Sequence, residues 1–171
     1  MPESNENLYA PWRMQYLESL RDRPARGGCF LCDYMANPQA DAANFVLARS
    51  AQAIVLLNRY PYTNGHLLVA PVEHVPRLSD LRPAVLHELA ERLANCQRVL
   101  AELLHAEGFN IGMNLGHCAG AGLPDHVHWH IVPRWGGDTN FLAVVGGVRL
   151  QPQTLESVYA GFLATAARLG L

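Results

Sequence analysis

The chain has 171 residues, 50% of them hydrophobic and 16% charged, with a formal net charge of −2. That length accommodates one domain with a core that needs no staples, the composition is that of an ordinary globular protein, and the near-neutral charge argues against a broad surface for nucleic acid polymers. No apolar run reaches the roughly 18 residues that span a bilayer, the polar start Met1–Asn7 does not read as a secretory signal, and four cysteines at this length do not make a disulfide framework; a cytoplasmic protein with reduced thiols and no membrane partner is expected.

Residues 1–28 are expected to form an N-terminal extension. It is loose over residues 1–8, has a short helix from Pro11 to Leu20 with the proline in its first turn, and ends in a charged, breaker-rich stretch to Gly28. Residues 29–171 are expected to form a single domain, opened by Cys29-Phe30-Leu31-Cys32. Phe45–Ala48 and Ala53–Leu57 read as strands around a turn at Arg49–Gln52. A loop from Asn58 to Gly65 leads to a third strand, His66–Ala70, ended by Pro71. Ser79-Asp80-Leu81-Arg82-Pro83 has the character of a helix start. Val85, Leu86, Leu89, Leu93, Cys96, Leu100, Leu103 and Leu104 then keep helical spacing, and Gly108 is expected to end that helix. Asn110–Leu115 reads as a fourth strand, Gly116–Gly122 as a glycine-rich connection and His126–Val132 as a fifth strand. A turn at Trp135–Asp138 and a closing helix over Leu155–Leu169 complete the chain. This order predicts an α+β sandwich with a mostly antiparallel five-stranded sheet, one long helix and a C-terminal helix.

The fifth strand carries the chemistry. In His126-Val127-His128-Trp129-His130 successive side chains alternate faces, so the histidines share one face and Val127, Trp129 and Ile131 the other. Imidazole titrates near neutrality, attacks phosphorus and binds metals. The row therefore suits a nucleophilic histidine with neighbours that donate to developing charge, or a metal site. A merely polar, solvent-facing strand is the plain alternative.

Cys29-x-x-Cys32 has the spacing of a tetrahedral zinc corner, which needs two further ligands; His74 and one histidine of the row are candidates. A redox dithiol would instead open a helix in a thioredoxin-like unit, and two unrelated buried thiols are the plain alternative. His66 opens the third strand and can reach His128 if the two strands are neighbours. His87 and His105 lie on or near the long helix and are expected to be solvated. Cys96 sits on its apolar stripe. The Gly116–Gly122 loop must end beside the histidines, where backbone N–H groups can approach an anion.

The run His126 to Val132 resembles the signature of the histidine-triad (HIT) superfamily, three histidines alternating with apolar residues. The segments Asn58–Pro61, Gly65–Pro71 and Ala119–Gly122 resemble it too. Ala10–Met14, Asn110–Gly116 and Pro133–Asp138 bring the chain closest to the bacterial diadenosine tetraphosphate phosphorylase, or ATP adenylyltransferase-like, branch. The resemblance covers roughly Tyr9 to Tyr159 and implies a HIT-like fold and an enzyme of nucleotidyl transfer. It makes His128 the nucleophile on the α-phosphorus of a dinucleoside polyphosphate, oriented by the carbonyl of His126. His130 would contact phosphate oxygens, and His66 would pack beside the nucleophile. Asn58 would meet the ribose, while Asn114 and the backbone of Gly120, Ala121 and Gly122 would hold phosphate. Where many relatives carry Gln or Ser, Gly122 offers only its backbone N–H. Zinc-containing relatives, including galactose-1-phosphate uridylyltransferases, imply a structural zinc on Cys29, Cys32, His74 and His126. Magnesium is the expected companion of the nucleotide. The family habit of pairing through the long helix and a sheet edge implies a homodimer. Hydrolysis of the same substrate, hydrolysis of a nucleoside phosphoramidate, a zinc-stabilised nucleotide-binding module and a hydrolase with catalytic metal are the alternatives.

Overall fold

The structure, a computed structural model, describes residues 28–139, 145–146 and 151–171. The helix expected over Pro11–Leu20 and the rest of the N-terminal extension up to residue 27 lie outside the described residues, as does the Ala10–Met14 motif.

A short helix comes first, α1 (Phe30–Ala36), followed by strands β1 (Val46–Arg49), β2 (Ala53–Leu57) and β3 (Leu67–Pro71). The long helix α2 (Pro83–Leu104) leads to β4 (Gly108–Gly112) and β5 (Trp129–Arg134), and α3 (Leu155–Leu169) closes the chain. The five strands form one sheet in the order β1-β2-β3-β5-β4, and every neighbouring pair is antiparallel. The expected α+β fold is therefore present.

Every residue of β2 and β3 is buried, so these central strands are covered on both faces, as their unbroken apolar runs require. Alternation divides the side chains. Val55, Leu57, Leu67, Val69 and Ile131 join Val85, Leu89 and Leu100 of α2 and Val158 and Phe162 of α3 in the larger core. On the opposite face Ile54, Leu56, Leu68 and Ala70 pack with Leu31 of α1 in a smaller one. His130 stands opposite Leu68 across the β3–β5 ladder, which puts it on the face of the smaller core.

Pro83 occupies the first turn of α2, where its missing N–H costs nothing. The helix does not run to Gly108 as expected. It ends at Leu104, with His105 in the left-handed conformation (φ 49°), and Gly108 already belongs to β4. That early stop moves β4 two residues toward the N-terminus of the expected Asn110–Leu115. β5 likewise starts at Trp129 rather than at His126. Thr154 caps α3 by accepting the N–H of Ser157, and Gly170 ends it at φ 70°. Because Val158 and Phe162 are core residues, removing the chain from Gln151 onward would take away part of the hydrophobic core.

Candidate active site and metal centre

The histidine row sits where β5 emerges from the sheet. Val127 N–H donates to the carbonyl of Val75 at 2.8 Å, which anchors His126 and His128 although both precede the paired strand. His126 is fully buried and His128 is 7% exposed, so this is no solvent-facing row. Val127 and Ile131 enter the main core, as the alternation requires.

The donor pattern settles the tautomers. A carbonyl oxygen only accepts. His128 Nδ1 lies 2.8 Å from the carbonyl oxygen of His126 and must carry the proton, which leaves the lone pair on Nε2. His126 Nε2 lies 2.9 Å from the carbonyl of Pro71, so its lone pair is on Nδ1. At His66 the logic runs in reverse. The backbone N–H of Tyr62 donates to His66 Nδ1 at 3.1 Å, and Asn58 Nδ2 lies 3.3 Å from the same atom. His66 therefore donates from Nε2 to His130 Nδ1 at 2.9 Å, and neutral His130 keeps its proton on Nε2.

His66 thus meets His130, not His128, as its bonding partner. It sits just before β3, and the β3–β5 register aligns Leu67 with Ile131 and Leu68 with His130. The ring of Tyr62 packs on both, 4.6 Å from His66 and 5.8 Å from His130 between centroids. His130 in turn lies edge-on to His128 at 5.0 Å.

Burial is the main electrostatic fact. It pushes His66 down to about 3, with help from the neighbouring His130 and His128. It pushes His130 down to about 4, again with help from His128. Burial also lowers His128 below the ordinary imidazole value, partly opposed by the bond to the His126 carbonyl. At neutral pH the row is uncharged, and His128 Nε2 is free of a proton, which is what nucleophilic attack needs.

Cys29, Cys32, His74 and His126 present one ligand atom each, all within 4.8 Å of one another. Cys29 Sγ is 3.1 Å from His126 Nδ1, Cys32 Sγ is 3.2 Å from His74 Nδ1, and Cys32 Sγ is 3.6 Å from His126 Nδ1. A tetrahedral zinc with sulfur and nitrogen ligands needs edges of roughly 3.6 Å; the three short separations lie near that value, and the widest, up to 4.8 Å, draws in by about an ångström to close the site. The bond from His126 Nε2 to the Pro71 carbonyl aims the Nδ1 lone pair at the cysteines, the outer-shell arrangement that metal-bound histidines use. Burial and the neighbouring Cys29 raise the Cys32 thiol to about 11; a cation between the two sulfurs would reverse that. The short helix α1, not foreseen in the sequence, delivers Cys32 from its first turn while Cys29 stands at its N-cap.

The remaining expected residues fall in two places. Asn58 is beside His66. In the glycine-rich loop a tight turn at His117–Ala119 occupies the amides of Gly120 and Ala121, which bond to His117 O at 2.9 Å and Gly116 O at 3.3 Å. Of the three amides expected to hold phosphate, that of Gly122 alone makes no hydrogen bond among the described residues. Asn114 lines a cavity of about 1010 Å³ that it shares with His130, Gly112 and Trp135. His87 and His105 are exposed, His105 on the cavity that His130 also lines, Cys96 is buried in the core, and Cys118 is exposed. Sequence reasoning missed Tyr62, the Pro71 carbonyl and the cavity wall, because their roles depend on strand register and not on local pattern.

The family model for the HIT domain matches residues 39–137. AP-4-A phosphorylase of Mycobacterium tuberculosis is 38% identical over 154 residues, covering 88% of this chain and 79% of the relative. The asymmetrical bis(5'-nucleosyl)-tetraphosphatase of Schizosaccharomyces pombe is 39% identical over 89 residues, covering 52% of this chain and 48% of the relative. A solved Zn-bound histidine triad family protein of Mycobacterium smegmatis superposes with a TM-score of 0.67 at 30% identity, covering 84% of this chain and 96% of that one.

Proposed function

We propose that this chain, which belongs to the HIT domain family, is an enzyme that cleaves dinucleoside polyphosphates through a covalent nucleotidyl-histidine on His128. The observation that carries the reading is the 2.8 Å bond from His128 Nδ1 to the His126 carbonyl, which puts the proton on Nδ1, so that the ring, kept neutral by burial, has its lone pair on Nε2. That nitrogen attacks the α-phosphorus and the bond to the bridging oxygen breaks. The departing nucleoside polyphosphate takes the electron pair. His130, whose Nε2–H is fixed by His66, donates to the phosphate oxygens as charge develops. An acceptor then attacks the phosphorus, releases the nucleotide and returns the lone pair to His128. Asn58 meets the ribose of the bound nucleotide. Asn114 and the loop Gly120–Gly122, chiefly through the Gly122 amide, hold phosphate.

Inorganic phosphate is the acceptor this reading prefers, since AP-4-A phosphorylase of Mycobacterium tuberculosis is 38% identical over 88% of this chain. Zinc, held by Cys29, Cys32, His74 and His126, supplies a closed structural cross-link and no attacking group. Magnesium accompanies the nucleotide. The protein works in the cytoplasm as a homodimer joined through α2 and the exposed edge of β4, where Ile111 is 43% exposed. Among the described residues no helix is long and apolar enough to cross a membrane.

Product analysis on diadenosine tetraphosphate tests the reading. ADP plus ATP formed only with inorganic phosphate present, and lost in His128→Ala, is expected. AMP plus ATP regardless of phosphate would make water the acceptor. Nucleotide binding without turnover would contradict the enzymatic reading.

A further inference from the structure

We propose that Cys29 and Cys32 are a reversible redox pair, which a peroxide converts to a disulfide with loss of the zinc and of part of the support of His128. The pair itself goes beyond the nucleotidyl-transfer reading. Only its consequences rest on that reading, through the zinc ligands and through His128 as nucleophile.

The two thiols are placed to join. Both are free. Cys29 stands at the N-cap of α1 and Cys32 in its first turn, and the Asp33 N–H closes that turn on the Cys29 carbonyl at 3.0 Å. Residues three apart on such a turn are neighbours, and the two side chains are in hydrogen-bond contact. Leu31, between them, is 0% exposed and packs in the smaller core, which anchors the turn while the sulfurs face away from that core.

The cluster is also open on one side. His126 is fully buried, but both cysteines are half-buried and His74 is exposed. A small oxidant therefore reaches the sulfurs past His74, which a zinc site sealed in a core would prevent. The other two cysteines differ. Cys96 is buried in the core, and Cys118 is exposed without a second thiol beside it among the described residues.

The chemistry balances with hydrogen peroxide as oxidant. One thiolate attacks a peroxide oxygen, the O–O bond breaks, and the hydroxide that leaves takes a proton from solvent to become water. The second thiolate attacks the resulting sulfenic sulfur, forms the S–S bond and expels a second hydroxide, which is protonated likewise. The two sulfurs together give up two electrons to the peroxide. A disulfide cannot serve as two thiolate ligands, so the zinc departs as the divalent cation. In a reducing compartment such a bond is transient and reports oxidant.

The zinc cluster reaches the nucleophile because it holds a stretch that the sheet does not. β5 begins at Trp129, so His126 and His128 lie outside the ladder. Their stretch is tied down by the Val127 N–H on the Val75 carbonyl at 2.8 Å, by His126 Nε2 on the Pro71 carbonyl at 2.9 Å, and by the cluster. The cluster joins His126 to His74, the neighbour of Val75, and so clamps the same two segments from the side-chain end. Cys29 Sγ lies 3.1 Å from His126 Nδ1 and Cys32 Sγ 3.2 Å from His74 Nδ1. A disulfide with the zinc gone leaves only the two bonds to carbonyls, and the His126 carbonyl that orients His128 is held less firmly.

The test uses the full chain carrying Cys118→Ser, which removes the exposed bystander thiol. The protein is treated with hydrogen peroxide. Zinc is followed with a chromogenic chelator, thiols and disulfides by peptide mass spectrometry, and turnover with diadenosine tetraphosphate. Stoichiometric zinc release, a Cys29–Cys32 disulfide, and a fall in kcat of about fivefold or more with little change in KM are expected. Dithiothreitol with added zinc should restore all three, which it would not do for oxidised methionine. Thiols that stay reduced, or that pass to sulfinic or sulfonic acid without a disulfide, overturn the pair. A fully formed disulfide with unchanged kcat overturns the link to His128. Protein that holds no zinc at the outset removes the zinc reading alone, because the disulfide is still read from the mass and its absence still overturns the pair.

Discussion

His66 donates from Nε2 to Nδ1 of His130 across 2.9 Å, and the backbone of Tyr62 dictates the direction of that bond. Because an amide N–H cannot accept, the proton positions along Tyr62, His66 and His130 follow in one order, with a donor delivered at His130 Nε2. Removing the donor at His66 lets His130 adopt the other tautomer and lose that function. His66→Phe is expected to lower kcat by roughly a hundredfold, the scale of a lost proton donor, with a much smaller change in KM. His66→Gln, whose amide can donate again, should recover part of the loss. Steady-state kinetics on diadenosine tetraphosphate check this, and equal losses in the two variants would contradict it.

The same burial has a pH signature. Free imidazoles bind protons below about 6.5, whereas burial holds His130 at about 4 and His66 at about 3 in the folded chain. Between those limits the unfolded chain binds more protons than the folded one, so folding stability falls as pH falls. The fold should weaken from pH 6.5 down to 4 and continue to weaken toward 3, by a total on the order of 3 kcal/mol or more. Denaturant midpoints at pH 7, 5 and 4 measure it. The acid limb of kcat/KM should likewise lie below 6.5, since His128 is lowered too. Constant midpoints over this range would show that the row is not buried as described.

Loss of a metal ligand should reach the nucleophile. His126 lends its ring to the cluster with Cys29, Cys32 and His74 and its carbonyl to His128. Cys32→Ser is expected to abolish stoichiometric zinc binding and to lower Tm by roughly 5–10 °C, because metal-binding free energy is folding free energy. Zinc content and calorimetry test this together. Zinc retained by the variant, or lost with Tm unchanged, would contradict the cluster's structural role.

Gly65 directly precedes His66 and sits at φ +76°. A Cβ there would collide with Leu104 Cδ1 and lie 3.2 Å from Leu100 Cδ2, both on the core side of α2. Gly65→Ala therefore combines left-handed strain with a steric clash and should cost about 2–4 kcal/mol. A loss under about 1 kcal/mol by equilibrium unfolding would mean that the loop and helix separate easily.

Much of this was legible in the chain. The spacing from Val85 to Leu104 marked α2, and Ala53–Leu57 and Leu155–Leu169 form with the expected bounds. Alternation from His126 to Ile131 correctly divided the apolar core residues Val127, Trp129 and Ile131 from the histidines. Non-local geometry was harder to read. α1 is a seven-residue helix whose N-cap Cys29 makes no side-chain cap, so its sequence carries little helical signal. The end of α2 was hidden because His105, not a glycine, adopts the left-handed turn. The choice of His130 over His128 as the partner of His66 depends on the register between β3 and β5. The cavity is assembled from segments as distant as Asn64 and Gln153, and no local pattern announces it.

Capture of the covalent intermediate is the decisive measurement. The protein is mixed with diadenosine tetraphosphate in the absence of inorganic phosphate, quenched rapidly, digested and mapped by mass spectrometry. An adenylyl group on the peptide at His128, absent from His128→Ala and discharged on adding phosphate, is the predicted result. Cleavage that continues in His128→Ala, or an adduct on a different residue, would contradict nucleophilic attack by His128.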